Sequence, residues 1–175
     1  MTLTKEIVIA KYNEDISWID GVDGYKITIY DKSKDIPNIG RESHTFLYHI
    51  CLNYHNLSDL TIFTQGNPFD HCEMFIKKIK EINIKDNYTP LSDNMLLVKS
   101  GANTMYKDPK PIKKYQDLFE LPNVKVSFPY GAIMAVKKEG ILNRPLSYYL
   151  KLLTYVSFSD EYTHSLEYLW GQIFK

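Results

Sequence analysis

The sequence predicts a single α/β domain: a central sheet flanked by helices, with an α-rich C-terminal part. Three observations carry this. Short β-branched runs alternate with runs of helical period through the first half. Two adjacent strand-like runs followed by two helices close the second half. The 175 residues contain no internal repeat, low-complexity segment or linker, and a chain this long buries roughly 70% of its unfolded surface in one domain.

In chain order, Glu6 to Ala10 has the little-interrupted apolar character of a strand buried on both faces. Ile16, Trp18 and Ile19 suggest a helical turn that Asn13 or Asp15 can cap. Gly21 and Gly24 precede a second strand, Tyr25 to Tyr30, whose alternation leaves one face more open. Pro37 and Gly40 punctuate the loop before a helix over Phe46 to Tyr54, with Phe46, Leu47, Ile50, Cys51 and Tyr54 as its buried stripe. A third strand spans Leu60 to Phe63. A helix is expected over Cys72 to Ile82, with Phe75, Ile76 and Ile79 inward and Lys77, Lys78 and Lys80 on a solvated face.

Residues 83–123, divided by Pro90, Pro109, Pro111 and Pro122, read as mostly loop with a short strand at Met95 to Val98. Strands are expected at Val124 to Phe128 and Ala132 to Val136, joined by the turn Pro129-Tyr130-Gly131. A single helical turn at Glu139 to Leu142 follows. Pro145 then opens a helix to about Val156. Ser159 or Asp160 caps the last helix, Thr163 to Phe174.

Composition narrows the function classes. The 21 basic and 21 acidic residues balance, so bulk charge gives no reason to expect nucleic acid as partner. No apolar run approaches the ~20 residues that span a bilayer. The N-terminal stretch lacks the apolar core of a signal peptide, so a cytoplasmic protein is expected. Cys51 and Cys72 sit in apolar, helix-like surroundings and read as two buried free thiols. There is no G-x-x-x-x-G-K-[ST], G-x-G-x-x-G or G-x-S-x-G, which counts against a P-loop ATPase, a standard Rossmann dehydrogenase and an α/β-hydrolase.

Reactive residue types collect instead at a helix start and a strand end, where open α/β sheets hold their ligands. Asn38 to Thr45 enters the first long helix. Its Gly40-Arg41-Glu42 combines free helix N–H groups with one of only two arginines, the parts of an anion site. The plainer alternative is that Arg41 pairs with a local carboxylate and Glu42 answers the helix dipole. Thr64-Gln65-Gly66-Asn67-Pro68 leaves a strand with two amides suited to a hydroxylated ligand or ribose, or serves as turn chemistry alone. Asp70-His71 offers a metal pair or a base, or a helix cap. His44 and His49 are five apart, poor register for two ligands on one helix, so His44 is better read as touching water or substrate. Tyr12 and Tyr130 lie nearest the expected cleft. Glu167 and Trp170 share a face of the last helix, with Trp170 read as core.

Several motifs together resemble a known family. V-x-A-x-Y-N-E-D-x-x-W (Val8 to Trp18), Y-D-K (Tyr30 to Lys32), N-x-G-R-E-x-H-T (Asn38 to Thr45), N-Y-x-N-L-x-D (Asn53 to Asp59) and F-x-Q-G-x-P-F-D-H (Phe63 to His71) resemble an uncharacterised family, the domain of unknown function numbered 3431. Y-G-A-x-x-A-V (Tyr130 to Val136), R-P-x-x-Y-Y (Arg144 to Tyr149) and E-x-L-W (Glu167 to Trp170) fit it too. That family more distantly resembles GT-A glycosyltransferases, which implies a GT-A-like, Rossmann-like sheet and sugar transfer from a nucleotide-sugar donor to a hydroxyl acceptor such as a glycan.

By that resemblance Tyr12, Asn13, Glu14 and Asp15 face the base and ribose, with Asp31 and Lys32 nearby. Asn38, Gly40, Arg41, Glu42 and His44 belong to the donor side, and Gln65 and Gly66 occupy the metal-motif position. The Gly131-Ala132 turn lies in the acceptor region, Tyr130 counts among the substrate- or nucleotide-binding residues, and Glu167 or Asp70 is the catalytic base. The cofactor implied is Mn²⁺ or Mg²⁺, yet Thr64-Gln65-Gly66 stands where the D-x-D motif belongs. Two other functions remain open from sequence: a metal-dependent hydrolase using His44, Asp70 and His71, and a non-catalytic module that binds a nucleotide or sugar.

Overall fold

The computed structural model describes residues 3–98 and 112–175. Its main sheet has five strands in the order β2-β1-β3-β7-β4, formed by β1 (Lys5–Lys11), β2 (Lys26–Asp31), β3 (Leu60–Gln65), β4 (Tyr88–Pro90) and β7 (Met134–Lys137). β1 pairs parallel with both β2 and β3, whereas β7 runs antiparallel to β3 and β4. The fold is therefore α/β with a mixed open sheet. A separate ribbon joins β5 (Met95–Val98) to β6 (Val126–Pro129).

β1 is central and buried on both faces, as its unbroken apolar run requires. Val8 and Ala10 face one core, with Phe46, Leu47 and Ile50 of α1 (Arg41–Asn53), Leu152 of α5 (Leu146–Phe158), and Leu166 and Trp170 of α6 (Asp160–Ile173). Ile7 and Ile9 face the other, with Phe75 and Ile79 of α2 (Phe75–Lys80) and with Trp18 and Ile19 of the 3₁₀ turn Ser17–Gly21. Trp170 lies stacked on Phe174 inside the first core.

Several boundaries differ from the sequence expectation, each for a local reason. α1 begins at Arg41, five residues before Phe46, because the His44 N–H donates to Gly40 O and closes a first turn from polar residues. α2 is shorter than Cys72 to Ile82: Cys72 closes a turn that starts at Pro68, Phe75 closes one that starts at Cys72, and Ile82 packs against the core without being helical. The apolar spacing there reported burial, not helix. Within 83–123 the strand at Met95–Val98 forms as expected, but the segment also holds β4 and α3 (Ile112–Leu118). Ile112 and Tyr115 bury one side of α3, with Phe119 just past its end, and Lys113 and Asp117 pair at 2.6 Å on the other. Pro109 and Pro111 lie outside the described residues. Asp15, not Asn13, ties the early turn by accepting from the Ser17 N–H and hydroxyl. Ser159 caps α6 through the Glu161 N–H. Both cysteines are free; Cys72 is buried, and Cys51 is half-buried with its thiol pushed up to about 11 by burial.

A buried polar network sits under the β1–β2 edge. Glu6 is only 2% exposed and accepts from Thr28 Oγ1 at 2.6 Å and Ser58 Oγ at 2.9 Å, with Lys26 Nζ at 3.0 Å and His49 Nε2 at 3.9 Å. Tyr30 Oη lies 3.0 Å from His49 Nδ1. Burial raises the Glu6 pKa, but its hydrogen bonds and His49 outweigh this and leave it below the ordinary range. Burial holds His49 well below its usual value, against the pull of Glu6.

Both shifts have one sign for stability. The fold binds fewer protons than the unfolded chain as pH falls past about 6.5, the ordinary histidine value, and then through the carboxylate range, so acid destabilises it. The melting temperature is expected to fall as pH drops below 6.5, and His49→Gln to remove the upper part of that loss. Glu6→Ala strands buried donors and His49, and should cost about 3 kcal/mol in a denaturant titration at pH 7.

Candidate functional site

β2 and β3 flank β1 on opposite sides. The connection leaving β1 packs on the Ile7–Ile9 face, and the one leaving β2, through α1, packs on the Val8–Ala10 face. The two part above the carboxyl ends of β1 and β2, which is the switch point where open α/β sheets leave a crevice. A cavity of about 200 Å³ lies there, lined by Lys11 at the end of β1, Tyr12 and Glu14 after it, Lys32 after β2, Arg41 and Glu42 at the α1 entrance, and Gln65 at the end of β3. Asn38 also touches it. A shallower hollow of about 400 Å³ shares Glu14 and adds Asp15, Trp18, Asn67 and Phe69.

Local contacts explain the shape. The Trp18 indole N–H donates to Gly66 O at 2.8 Å, and Glu14 lies so close over Gly66 that a Cβ there would come within 2.7 Å of its carboxylate. Glu14 also accepts from the Tyr12 N–H at 2.7 Å, fixing the loop that carries the exposed Asn13. Gln65 Nε2 donates to Asn67 O at 2.6 Å. Asp31 accepts from the Ser33 hydroxyl and N–H and pairs with Lys11 at 3.1 Å; these hold its carboxyl down to about 2. Gly40 and Arg41 are both left-handed, with φ of 58° and 46°. A Cβ at Gly40 would meet His44 Cβ and Val156 O at 2.8 Å, so only glycine fits the turn.

A second left-handed pair, Gly131 (φ 74°) and Ala132 (φ 47°), lies in the 3₁₀ turn Tyr130–Ala132 that leads into β7, beside the end of β3. One helix face meets both pairs. On α6, His164 Nε2 lies 3.2 Å from Arg41 Nη1, and Glu167 Oε1 accepts the Gly131 N–H at 3.0 Å. Glu167 is only 8% exposed. Burial raises its pKa above the ordinary carboxyl range; the Gly131 N–H opposes this, the nearby Glu42 adds to it, and Arg41 and His164 oppose it.

The structure thus brings Tyr12, Glu14, Lys32, Asn38, Arg41, Glu42 and Gln65 to one cavity, with Asp15 in the adjoining hollow. Glu167 and Gly131 line neither hollow; Glu167 reaches across from α6 to the Gly131 N–H. Three other residues take different places. His44 is buried, stacked on Tyr48, and does not line the cavity. Asp70 is exposed and accepts from Asn67 Nδ2 at 2.9 Å, whereas His71 stacks on Tyr130 and presses against Gly131. Among the described residues no three His, Cys, Asp or Glu side chains are grouped to hold a metal ion, so His44, Asp70 and His71 do not form one. His164 was not among the expected site residues; its one sequence signal is the i, i+3 spacing from Glu167.

Residues 7–85 match the model of the family described as Protein of unknown function (DUF3431). The segment holds the ends of β1, β2 and β3 and the α1 entrance; Gly131, His164 and Glu167 lie beyond it. No curated protein and no solved structure matches the chain.

A raised carboxyl pKa means that ionising Glu167 works against the folded state, so this strain grows as pH rises through the folded pKa. Glu167→Gln keeps an acceptor for the Gly131 N–H without the charge. The variant is expected to melt higher than the parent at pH 8 and to converge with it at pH 4. Equal melting temperatures at pH 8 would contradict the assignment.

Proposed function

We propose that the chain is a glycosyltransferase that moves a sugar from a nucleotide-sugar donor to a hydroxyl acceptor, on a GT-A-like sheet. The observation that carries this reading is the switch-point cavity itself, where Arg41 at a helix entrance meets the loops after β1 and β2, with the buried Glu167 carboxyl near enough to feel the Arg41 charge. Arg41 and the N-terminal turn of α1 take the donor diphosphate, where a planar cation and free N–H groups suit phosphate oxygens. The hollow edged by Trp18 and Phe69 takes the flat base and the ribose, with Tyr12, Asn13, Glu14 and Asp15 around it.

Glu167 acts as the base. It accepts the acceptor hydroxyl proton while that oxygen bonds to the anomeric carbon, and the donor's glycosyl–phosphate bonding pair leaves with the nucleoside diphosphate. A carboxyl raised by burial is suited to this, because its affinity for a proton is closer to the working pH. The Gly131 N–H keeps one carboxylate oxygen anchored and leaves the other for the proton. The Mn²⁺ or Mg²⁺ that the GT-A resemblance implies finds no matching ligands: Thr64-Gln65-Gly66 replaces D-x-D, and no carboxylate cluster substitutes for it among the described residues. In this reading Arg41 and the helix entrance balance the charge on the leaving diphosphate.

The test is a thermal-shift screen of UDP-, GDP-, CMP- and dTDP-sugars, each with and without Mn²⁺. At 100-fold excess over Kd, binding adds about 2.7 kcal/mol, a shift of several degrees for a domain of this size. One nucleotide class is expected to stabilise the chain, and Glu167→Gln to keep that shift while slowing transfer about 100-fold or more. No shift with any donor would contradict the reading. A shift with no transfer to any acceptor would leave a nucleotide-binding module.

A further inference from the structure

Lys32 is a cation buried where simple electrostatics would not place one. It is about 7% exposed, beside the positive end of α1 and close to Arg41, both of which repel an ammonium. Burial pushes its pKa down; the Glu42 and Asp160 carboxylates oppose this, and Arg41 adds to the lowering. Burial lowers the pKa of the nearby His44, and the Lys32 charge adds to that lowering. The reason for its position lies in its hydrogen bonds. Lys32 Nζ donates to Ile39 O at 2.7 Å and to Arg41 O. Those carbonyls belong to the residues on either side of Gly40, so one ammonium staples the left-handed turn from both ends.

Arg41 needs such a staple. At φ 46° it holds a backbone conformation that a side chain with a Cβ rarely adopts, and such outliers persist only where their surroundings determine them. Lys32 also lines the cavity itself. By engaging two carbonyl oxygens it offsets the negative ends of those peptides at the cavity wall, which favours an anionic ligand there.

We propose that Lys32 is the positioning residue of this crevice: by gripping the carbonyls of Ile39 and Arg41 it holds Arg41 left-handed, with its guanidinium on the cavity wall beside His164. The ligand side of this inference rests on the function proposed above; the positioning side does not.

The experiment has two readouts. In the ligand-free chain, the ring NMR signals of His164 report the Arg41 guanidinium. Lys32→Met is expected to move them as Arg41→Ala does, while the distant His55 stays unmoved. An unmoved His164 in the Lys32 variant overturns the proposal. The second readout is the Kd for UDP in a double-mutant cycle. Lys32→Met and Arg41→Ala are each expected to weaken binding about tenfold, and the double variant to lie within about twofold of Arg41→Ala. Losses that multiply would show that Lys32 does not act through Arg41, and would overturn the proposal. Lys32→Gln, which keeps a donor for one carbonyl, is measured in parallel and serves if the Met variant does not fold. If the wild-type chain binds no UDP, the cycle is run with whichever of GDP, CMP or dTDP it binds; if it binds none of them, the transferase reading fails while the His164 signals still decide the role of Lys32.

Discussion

Because β2 and β3 lie on opposite sides of β1, the chain leaves the sheet on one face after β1 and on the other after β2. The rest of the structure depends on that reversal. It requires β1 to be apolar on both faces, which Ile7, Val8, Ile9 and Ala10 satisfy. It also leaves an opening above the carboxyl ends of the strands. The residues after each strand, Tyr12 to Asp15, Asp31 and Lys32, and Gln65 and Gly66, are thereby brought together although more than fifty positions separate the first from the last.

An opening of this kind needs walls that hold their shape. One wall carries the left-handed turn Gly40–Arg41, and a second, Gly131–Ala132, lies beside the end of β3; each has a non-glycine residue in a conformation that ordinary side chains avoid. α6 braces both through His164 and Glu167, and its own place is set by the core that Leu166, Leu169 and Trp170 fill. Burial of an apolar helix face thus places two polar side chains one turn apart, each against a different turn. The same burial raises the Glu167 pKa, so packing and acid–base character share one cause.

Much of this was legible in the sequence, and the exceptions are instructive. β1, β3 and the helix core at Phe46 to Ile50 announce themselves through period and β-branching, and Arg41 and Gln65 through their places at a helix start and strand end. The first turn of α1 was not legible, because Ser43, His44 and Thr45 are polar yet buried, and their burial comes from helices far along the chain. Lys32 sits in Asp31-Lys32-Ser33-Lys34-Asp35, a run that reads as solvated loop; only the fold shows one of its lysines turned inward. His164 meets Arg41 from 123 positions away, a contact no local pattern encodes. Asp70 and His71, adjacent in sequence, point to different partners because the 3₁₀ turn Pro68–Asp70 ends between them.

The central claim is that the switch-point crevice is where this chain meets its ligand. The most direct measurement is amide chemical-shift mapping of the ¹⁵N-labelled chain during a UDP titration. The account predicts that the largest shifts fall on Tyr12 to Asp15, Gly40 to Glu42, and Gln65 and Gly66, with smaller ones at Gly131. Shifts centred instead on the larger cavity between Tyr88, Val126 and Tyr168 would contradict it.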